Sequence, residues 1–347
     1  MGRRIVFMGA GAVGGYVGGH LARAGEDVTL IDPWPEHIET IKHGGLNLSG
    51  TQGEHTVRVK ALHLHEVQSL YKTPVDIAFI CTKSYDTEWA TMMIKQYLAP
   101  NGFVVSLQNS INEERIAAIV GWGKTVGCIA STIGVDAYKA GHIMRTIQPG
   151  GSGYTIFRVG EVHGRITPRV EELVAMLSHV DSAKATTNLW GERWTKLTMN
   201  AMGNGISAST GLNSKGMVEL EMTRRLSIRL GGEAIRVGKA LGYELESIRG
   251  MPGNKWVAAS EGDAAALEEI EGVMLAGTKR MTEAGRPSTG QDILKGRRTE
   301  IDYINGLVAA KGEEVGTPAP THAALTEVVK RVERGEWEPS PDNVANL

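Results

Sequence analysis

Residues Gly9-Ala10-Gly11-Ala12-Val13-Gly14 constrain this chain more than any other segment. They follow the apolar run Ile5-Val6-Phe7-Met8 and open a segment with helical patterning. A glycine triplet alone is weak evidence, but between a strand and a helix it is specific. Gly9 permits a tight turn, Gly11 lets a pyrophosphate approach the backbone, and Gly14 allows helix and strand to pack closely. The first helical turn, carrying Ala12 and Val13, then points its unsatisfied N–H groups at phosphate. Gly15, Gly18 and Gly19 give the helix a smooth face, costly in isolation but suited to close sheet contact.

The first half continues as an α/β pattern. Asp27 to Ile31, Val75 to Ile80 and Phe103 to Leu107 are nearly continuous apolar runs, as expected of parallel strands covered on both faces. This predicts an N-terminal Rossmann-like, doubly wound sheet. Leu46 to Leu48 and His55 to Val59 read as a hairpin inserted in that sheet, and Thr125 to Val162 as antiparallel strands extending it across the glycine-rich Gln148 to Gly153. From about Leu189, 3.6-residue periodicity replaces β-branched runs, so the C-terminal domain is predicted to be mostly α-helical. The expected division is 1–187 for the dinucleotide-binding domain, 188–335 for a helical substrate and catalytic domain, and 336–347 for a polar tail lying loosely on the surface. Within the helical part, Ile248 to Asp263 contains Gly250, Pro252, Gly253 and Gly262 and reads as an irregular connection or lid.

Asp32 ends the second β-rich run, where a carboxylate can accept hydrogen bonds from ribose hydroxyls. A 2′-phosphate there would meet like charge, and Pro33-Trp34-Pro35 offers no arginine to neutralise it. The expected cofactor is therefore NAD, with NADP as the alternative. In that alternative Asp32 merely begins a turn and Lys83, after the run Val75 to Ile80, supplies phosphate binding.

Charge narrows the partners. With 37 Lys and Arg against 39 Asp and Glu, the formal charge of −2 gives no basic field to attract nucleic acid or an anionic membrane. The expected partner is a small molecule, either a carboxylate or a secondary alcohol. Cys81 and Cys128 lack a nearby second thiol in sequence and metal-ligand spacing, and read as core residues in a reducing compartment. No apolar run has the length of a membrane span, and the N-terminus lacks a signal-peptide pattern, so a cytoplasmic location is expected. His63 and His65 would share one strand face, but no third ligand lies near them in sequence, so no metal site is expected. An apolar face on the helical domain makes a homodimer plausible.

Several blocks resemble the ketopantoate reductase (2-dehydropantoate 2-reductase) family across nearly the whole chain. Besides the glycine turn they are Cys81-Thr82-Lys83, Gln108-Asn109, Trp194 to Asn200, and Ser288 together with Arg298 to Gly306. The resemblance implies that Lys196 is the catalytic lysine, hydrogen-bonded to the substrate carbonyl and protonating the developing alkoxide. It implies that Asn200 and Asn204 bind substrate, that Ser288 contacts its carboxylate, that Glu300 is an acid beside substrate and lysine, and that Asn109 lies at the nicotinamide end. The chemistry is coherent in itself. Hydride reaching a ketone carbon places charge on oxygen, which a positioned ammonium stabilises and protonates. Spaced at four and eight residues, Asn200 and Asn204 would share a helical face with Lys196.

The sequence departs from the family pattern at Ser110, where members often carry glycine, and at Pro33, where NADPH-using members carry arginine. Three functions stay open: reduction of a 2-oxo acid such as ketopantoate, NAD-dependent oxidation of another hydroxy acid or secondary alcohol, and a dinucleotide-binding sensor without turnover.

Overall fold

The computed structural model describes residues 2–150, 154–279, 281 and 285–347. The part of the glycine-rich stretch formed by Gly151, Ser152 and Gly153 lies outside the described residues. The chain divides after Leu189 into two compact units. Among the described residues no helix is long and apolar enough to cross a membrane.

The first unit runs β1 (Arg4–Met8), α1 (Ala12–Arg23), β2 (Asp27–Asp32), α2 (Pro35–Gly44), β3 (Leu46–Gly50), β4 (His55–Val57) and β5 (Lys60–His63). It continues with β6 (Val75–Ile80), α3 (Thr87–Lys95), β7 (Leu98–Ser106), α4 (Glu113–Val120), β8 (Thr125–Ala130), β9 (Val135–Lys139), β10 (His142–Arg145), β11 (Phe157–Glu161), α5 (Pro168–Leu177) and β12 (Ala183–Ala185). The main sheet has the order β12-β11-β8-β7-β6-β1-β2-β5 and is parallel except where β11 runs against β8. Alternation along β1 covers both faces. Ile5 and Phe7 enter the cluster holding α1, while Val6 and Met8 enter the opposite cluster with Ile94 and Ile116.

The expected hairpin does form, since β3 pairs antiparallel with β4, but it is not inserted in the wound sheet. With β9 and β10 it makes a separate sheet of order β4-β3-β10-β9. The extension expected over Thr125 to Val162 therefore splits, with β8 and β11 joining the main sheet and β9 and β10 leaving it. The cause is α1. A Cβ at Gly18 would lie 2.7 Å from Leu30 Cδ2, on the main sheet, and one at Gly19 would lie 2.9 Å from Leu46 Cδ2, on the second. The glycine stripe lets one helix touch a sheet on each side, and the hairpin packs against the helix instead of the wound strands.

The second unit is helical: α6 (Leu189–Ala201), α7 (Asn204–Thr210), α8 (Ser214–Glu219), α9 (Glu221–Ala240), α10 (Gly253–Ser260), α11 (Ala264–Thr278), α12 (Ser288–Leu294), α13 (Asn305–Glu314) and α14 (Pro320–Glu333). Long α9 organises it. Trp194 of α6 is fully buried and donates from Nε1 to the Ala234 carbonyl at 2.8 Å, over the gap left by Gly238. Glu233, also on α9, is buried at the start of α14. There it accepts from Thr321 Oγ1 at 2.6 Å and from the N–H groups of Thr321 and His322, satisfying donors that a helix start leaves open.

Two expectations fail here. The segment Ile248 to Asp263 is not an irregular lid: it contains α10, whose Trp256 is fully buried among Ile235, Ile248 and Ile270. The breakers lie at the ends of this helix, with Pro252 at its N-cap, so they bound it instead of preventing it. Nor does the tail lie loosely. Ser340 N–H and Asn343 Nδ2 both donate to the Ser209 carbonyl, at 3.0 and 2.9 Å, and Val344 is buried against the core.

Each unit buries a histidine in neutral form. His322 donates from Nε2 to the Leu230 carbonyl at 2.9 Å, which leaves Nδ1 to accept from Asn305 Nδ2 at 3.1 Å, and burial lowers its pKa to about 4. His20, against Tyr16, is lowered to about 4 chiefly by burial, with Arg23 adding to it. The unfolded chain binds these protons near the ordinary value of about 6.5, so it holds more protons than the folded chain between about pH 6.5 and 4. Stability is full above that window and falls as pH drops through it, by up to about 3 kcal/mol for each histidine. Urea unfolding measured from pH 7.5 to 4.5 should show this decline, and a flat profile would contradict the neutral assignments.

Candidate active site

The glycine turn is held by close backbone approach. Gly9 has φ of +99°, and a Cβ there would lie 2.8 Å from the Thr82 nitrogen. A Cβ at Gly14 would fall 2.0 Å from the Gly9 carbonyl oxygen and 2.8 Å from Cys81 Cβ. Gly11 differs, because a Cβ on it would meet nothing within 4 Å. Gly11 is also the N-cap of α1, which has neither a capping side chain nor an acid in its first turn, Ala12 and Val13 being apolar. An open approach at Gly11 beside uncapped N–H groups fits the phosphates of a dinucleotide. Thr82 Oγ1, on the adjacent loop, is buried with no hydrogen-bond partner among the described residues, a further polar group suited to a ligand.

Ala10 ties this turn to its surroundings through both sides of its backbone. Its N–H donates to Asp32 Oδ2 at 2.8 Å, while Asp32 Oδ1 accepts from Trp34 N–H at 2.9 Å. Asp32 thus braces the turn, in addition to any contact its remaining lone pairs can make. Burial pushes its carboxyl up from the usual range, opposed by those two N–H groups. The Ala10 carbonyl accepts from His37 Nε2 at 2.9 Å, and His37 Nδ1 accepts from Gly141 N–H at 2.9 Å. His37 is completely buried, lies under the Trp34 ring at 5.1 Å, and has its pKa lowered by burial. Nothing in the sequence marked it, since a histidine on an apolar helix face is ordinarily a core residue.

The loops after β6 and β7 meet beside the turn. Gln108 Nε2 donates to the Thr82 carbonyl at 2.8 Å and to Thr87 Oγ1 at 2.9 Å. The Asn109 carbonyl accepts from Asn112 Nδ2 at 2.8 Å, and its side chain is half-buried. Lys83 is half-buried at the start of a short 3-10 turn, Ser84–Asp86. Ser110 has φ of +68° and is 5% exposed. The serine that replaces the family's glycine therefore holds a left-handed backbone that glycine adopts without steric cost.

In the second unit Lys196 is half-buried on α6 between the buried residues Thr195 and Leu197, and Asn200 lies one turn further on. The single stripe expected through Asn204 does not form. α6 ends at Ala201, Gly203 interrupts the helix, and Asn204 begins α7. Asn204 reaches Ser288 instead, donating from Nδ2 to Oγ at 3.2 Å. Glu300 is buried to 3% exposure, so it is not surface charge. It also lies outside a regular helix, just before the 3-10 turn Ile301–Tyr303, and neighbouring Thr299 is anchored on Glu333 of α14 at 2.5 Å. The two sequence blocks are joined by Asn305, whose Nδ2 donates to the Ala201 carbonyl at the end of α6 at 3.0 Å.

His63 and His65 are not on one strand face, because His63 ends β5 and His65 lies in the following 3-10 segment. Their rings stack at 5.3 Å, and His63 meets Glu39 at 2.5 Å. Among the described residues no group of three side chains gathers to hold a metal. The two cysteines form no disulfide among the described residues, Cys128 lying buried in β8 and Cys81 directly after β6.

The fold and the site define the class: a two-domain NAD(P)-dependent oxidoreductase acting on a CH–OH group. Residues 5–157 match the family described as ketopantoate reductase PanE/ApbA, and residues 188–333 match its C-terminal domain. The chain belongs to the ketopantoate reductase family. It is 30% identical to the 2-dehydropantoate 2-reductase of Archaeoglobus fulgidus over 96% of this chain and 99% of that one. Its identity to the Lactococcus lactis enzyme of the same name is 27%, over 94% and 96% of the two chains. A PanE/ApbA family ketopantoate reductase from Ralstonia eutropha superposes with a TM-score of 0.77 at 26% identity, covering 96% and 99%. A D-mandelate dehydrogenase solved with NADH and anilino(oxo)acetate shares the fold, with a TM-score of 0.79 at 22% identity, covering 95% and 98%.

Substitution at the two glycines is expected to differ in its effect on stability. Gly14→Ala should lower the melting temperature and abolish dinucleotide binding. Gly11→Ala should melt like the parent chain yet bind NADH at least about tenfold more weakly, a loss of roughly 1.4 kcal/mol. Calorimetry with NADH fluorescence titration separates the two, and an unaffected affinity in Gly11→Ala would remove the turn from the cofactor site.

Proposed function

We propose that this chain reduces a 2-oxo acid, ketopantoate being the nearest named candidate, to the 2-hydroxy acid, with Lys196 as general acid. The observation that carries this reading is the Asn204 to Ser288 hydrogen bond, which joins two neutral donors from distant parts of the sequence in a unit that also holds half-buried Lys196 and buried Glu300. A bound nicotinamide supplies the hydride. Lys196 Nζ donates a hydrogen bond to the substrate carbonyl, stabilises the negative charge that develops on oxygen, and transfers its proton there. Glu300 keeps that ammonium charged and oriented. Asn200, Asn204 and Ser288 bind the acid by neutral hydrogen bonds, and Asn109 serves the nicotinamide end. In the reverse direction neutral Lys196 takes the hydroxyl proton.

Gly9, Gly11, Ala12, Val13 and Gly14 carry the pyrophosphate, with Lys83 close by in the fold at the next loop. NADH is the proposed coenzyme. Support comes from Asp32, a carboxylate at the end of β2 already committed to the glycine turn, and from Pro33 where an arginine would be needed for a 2′-phosphate. Asp32 equally favours a second reading, NAD-dependent oxidation of a different hydroxy acid or secondary alcohol. The cytoplasm is the proposed location, a compartment in which cysteines stay reduced, and a homodimer is the proposed assembly.

Lys196→Ala is expected to bind dinucleotide as the parent does and to lose at least about 100-fold in kcat, the scale of general acid catalysis. Unchanged turnover would remove Lys196 from the chemistry. Initial rates with ketopantoate and with pantoate, each against both coenzymes at matched concentration, test the rest. NADH-dependent reduction supports both parts of the proposal, a strong NADPH preference defeats the coenzyme assignment, and activity only in the oxidative direction on other hydroxy acids favours the second reading.

A further inference from the structure

The second unit contains a cavity of about 140 Å³ whose lining includes the methionines Met202, Met217 and Met274. Its polar lining includes Asn204, the partner of Ser288, and Arg249. Arg249 is the unexpected member. Among the described residues no carboxylate lies within ion-pair distance of it, although most other arginines in the chain are paired or bonded to carbonyls. Its side chain is exposed, yet burial alone lowers its pKa, as happens when a group lines a concavity and is surrounded by protein without being contacted closely. Nη1 passes α11 at Gly277, where no side chain intervenes; a Cβ there would lie 3.6 Å away.

The backbone holds Arg249 there at a cost. Ile248 and Met251 exchange both N–H to carbonyl bonds, at 2.9 and 3.0 Å, closing a two-residue turn with φ of +53° at Arg249 and +77° at Gly250. Positive φ at both central positions is the type I′ arrangement, in which asparagine followed by glycine is favoured and a long side chain at the first position is strained. The turn is anchored from below, since buried Trp256 donates to the Ile248 carbonyl at 3.2 Å. A strained guanidinium on a fixed turn, with no carboxylate partner among the described residues and lining a cavity that also holds methionines, has the attributes of a ligand group.

We propose that Arg249 is the charge-selecting residue of the substrate pocket, binding the carboxylate of a compact 2-oxo acid whose apolar body lies against the methionines. This rests on the reductase reading above for the identity of the acid. Asn204 and Ser288 are neutral, and Arg249 adds the full positive charge they lack. Apolar cavities of roughly 150 Å³ hold a benzene-sized body, so a branched aliphatic or single-ring side chain fits and a long chain does not. Methionine, flexible and polarisable, adapts to either shape.

The test measures binding of 2-oxo-3-methylbutanoate and of its methyl ester to the full chain by calorimetry, for the parent, Arg249→Asn and Arg249→Lys. Asparagine suits the turn, so Arg249→Asn should melt no lower than the parent while removing the charge. The expected result is that this variant loses about 10- to 100-fold in affinity for the acid, the range for a charged hydrogen bond, and nothing for the ester. Arg249→Lys should recover part of the loss. Equal affinity of acid and ester in the parent, no measurable binding of the acid, or equal losses for both in Arg249→Asn would overturn the proposal. Turnover of 2-oxo acids is assayed separately, so absence of activity in a chain that still prefers acid to ester would count against the reductase reading and leave Arg249 supported.

Discussion

The position of α1 governs the first unit. Its glycines remove the side chains that would hold it away from Phe7 and Leu30 on one side and from Leu46 and Leu48 on the other. The N-terminus of the helix is consequently fixed against two sheets, and the turn at Gly9 to Gly14 is fixed with it. Ala10 completes the arrangement by engaging Asp32 through its N–H and His37 through its carbonyl. Because His37 also receives the Gly141 N–H, the residue between the first two glycines is connected through one imidazole to the second sheet. A phosphate-binding turn of this kind is preorganised: its N–H groups need not be gathered when a ligand arrives.

Polar groups perform the corresponding work in the helical unit, where they act as registers between elements far apart in sequence. Asn305 joins the end of α6 to the start of α13, and His322 of α14 orients that asparagine. Glu233 receives the start of α14 on the flank of α9. Such contacts are costly to bury unless satisfied, so each admits only one relative placement of its helices. Lys196 and Glu300 owe their settings to this lattice, Lys196 through the end of its helix and Glu300 through Thr299 on Glu333.

Much of this was legible in the sequence for identifiable reasons. The central parallel strands are covered on both faces and so read as continuous apolar runs, and the glycine turn has a spacing few other structures need. The second sheet is not legible as separate because its strands are short and half-exposed, and nothing local distinguishes a strand paired beyond α1 from one paired within the wound sheet. β5 is legible only through His63, since Lys60 and His63 flank just two apolar residues and the strand ends before His65. The break at Gly203 was hidden inside a helical pattern, since an isolated glycine is tolerated in a helix and only packing decides whether it ends one. α10 was masked by its own boundary residues. The site was legible as a set of residue types, but the bond between Asn204 and Ser288 and the left-handed backbone of Arg249 are facts of tertiary structure with no local signature.

The second sheet also has a kinetic consequence. β3 and β10 run parallel, and Asn47 meets Gly141 across 94 residues of chain. A contact of that separation carries a large loop-closure entropy and forms only after intervening segments have condensed. β1, α1, β2 and the β3–β4 hairpin can assemble from neighbouring sequence, whereas the part of α1 that packs on β9 and β10 waits until those strands have been made and brought back. The glycine-lined helix is thus a surface on which a long-range closure of the first unit is registered, and the His37–Gly141 part of the brace on the phosphate-binding turn is expected to form with it.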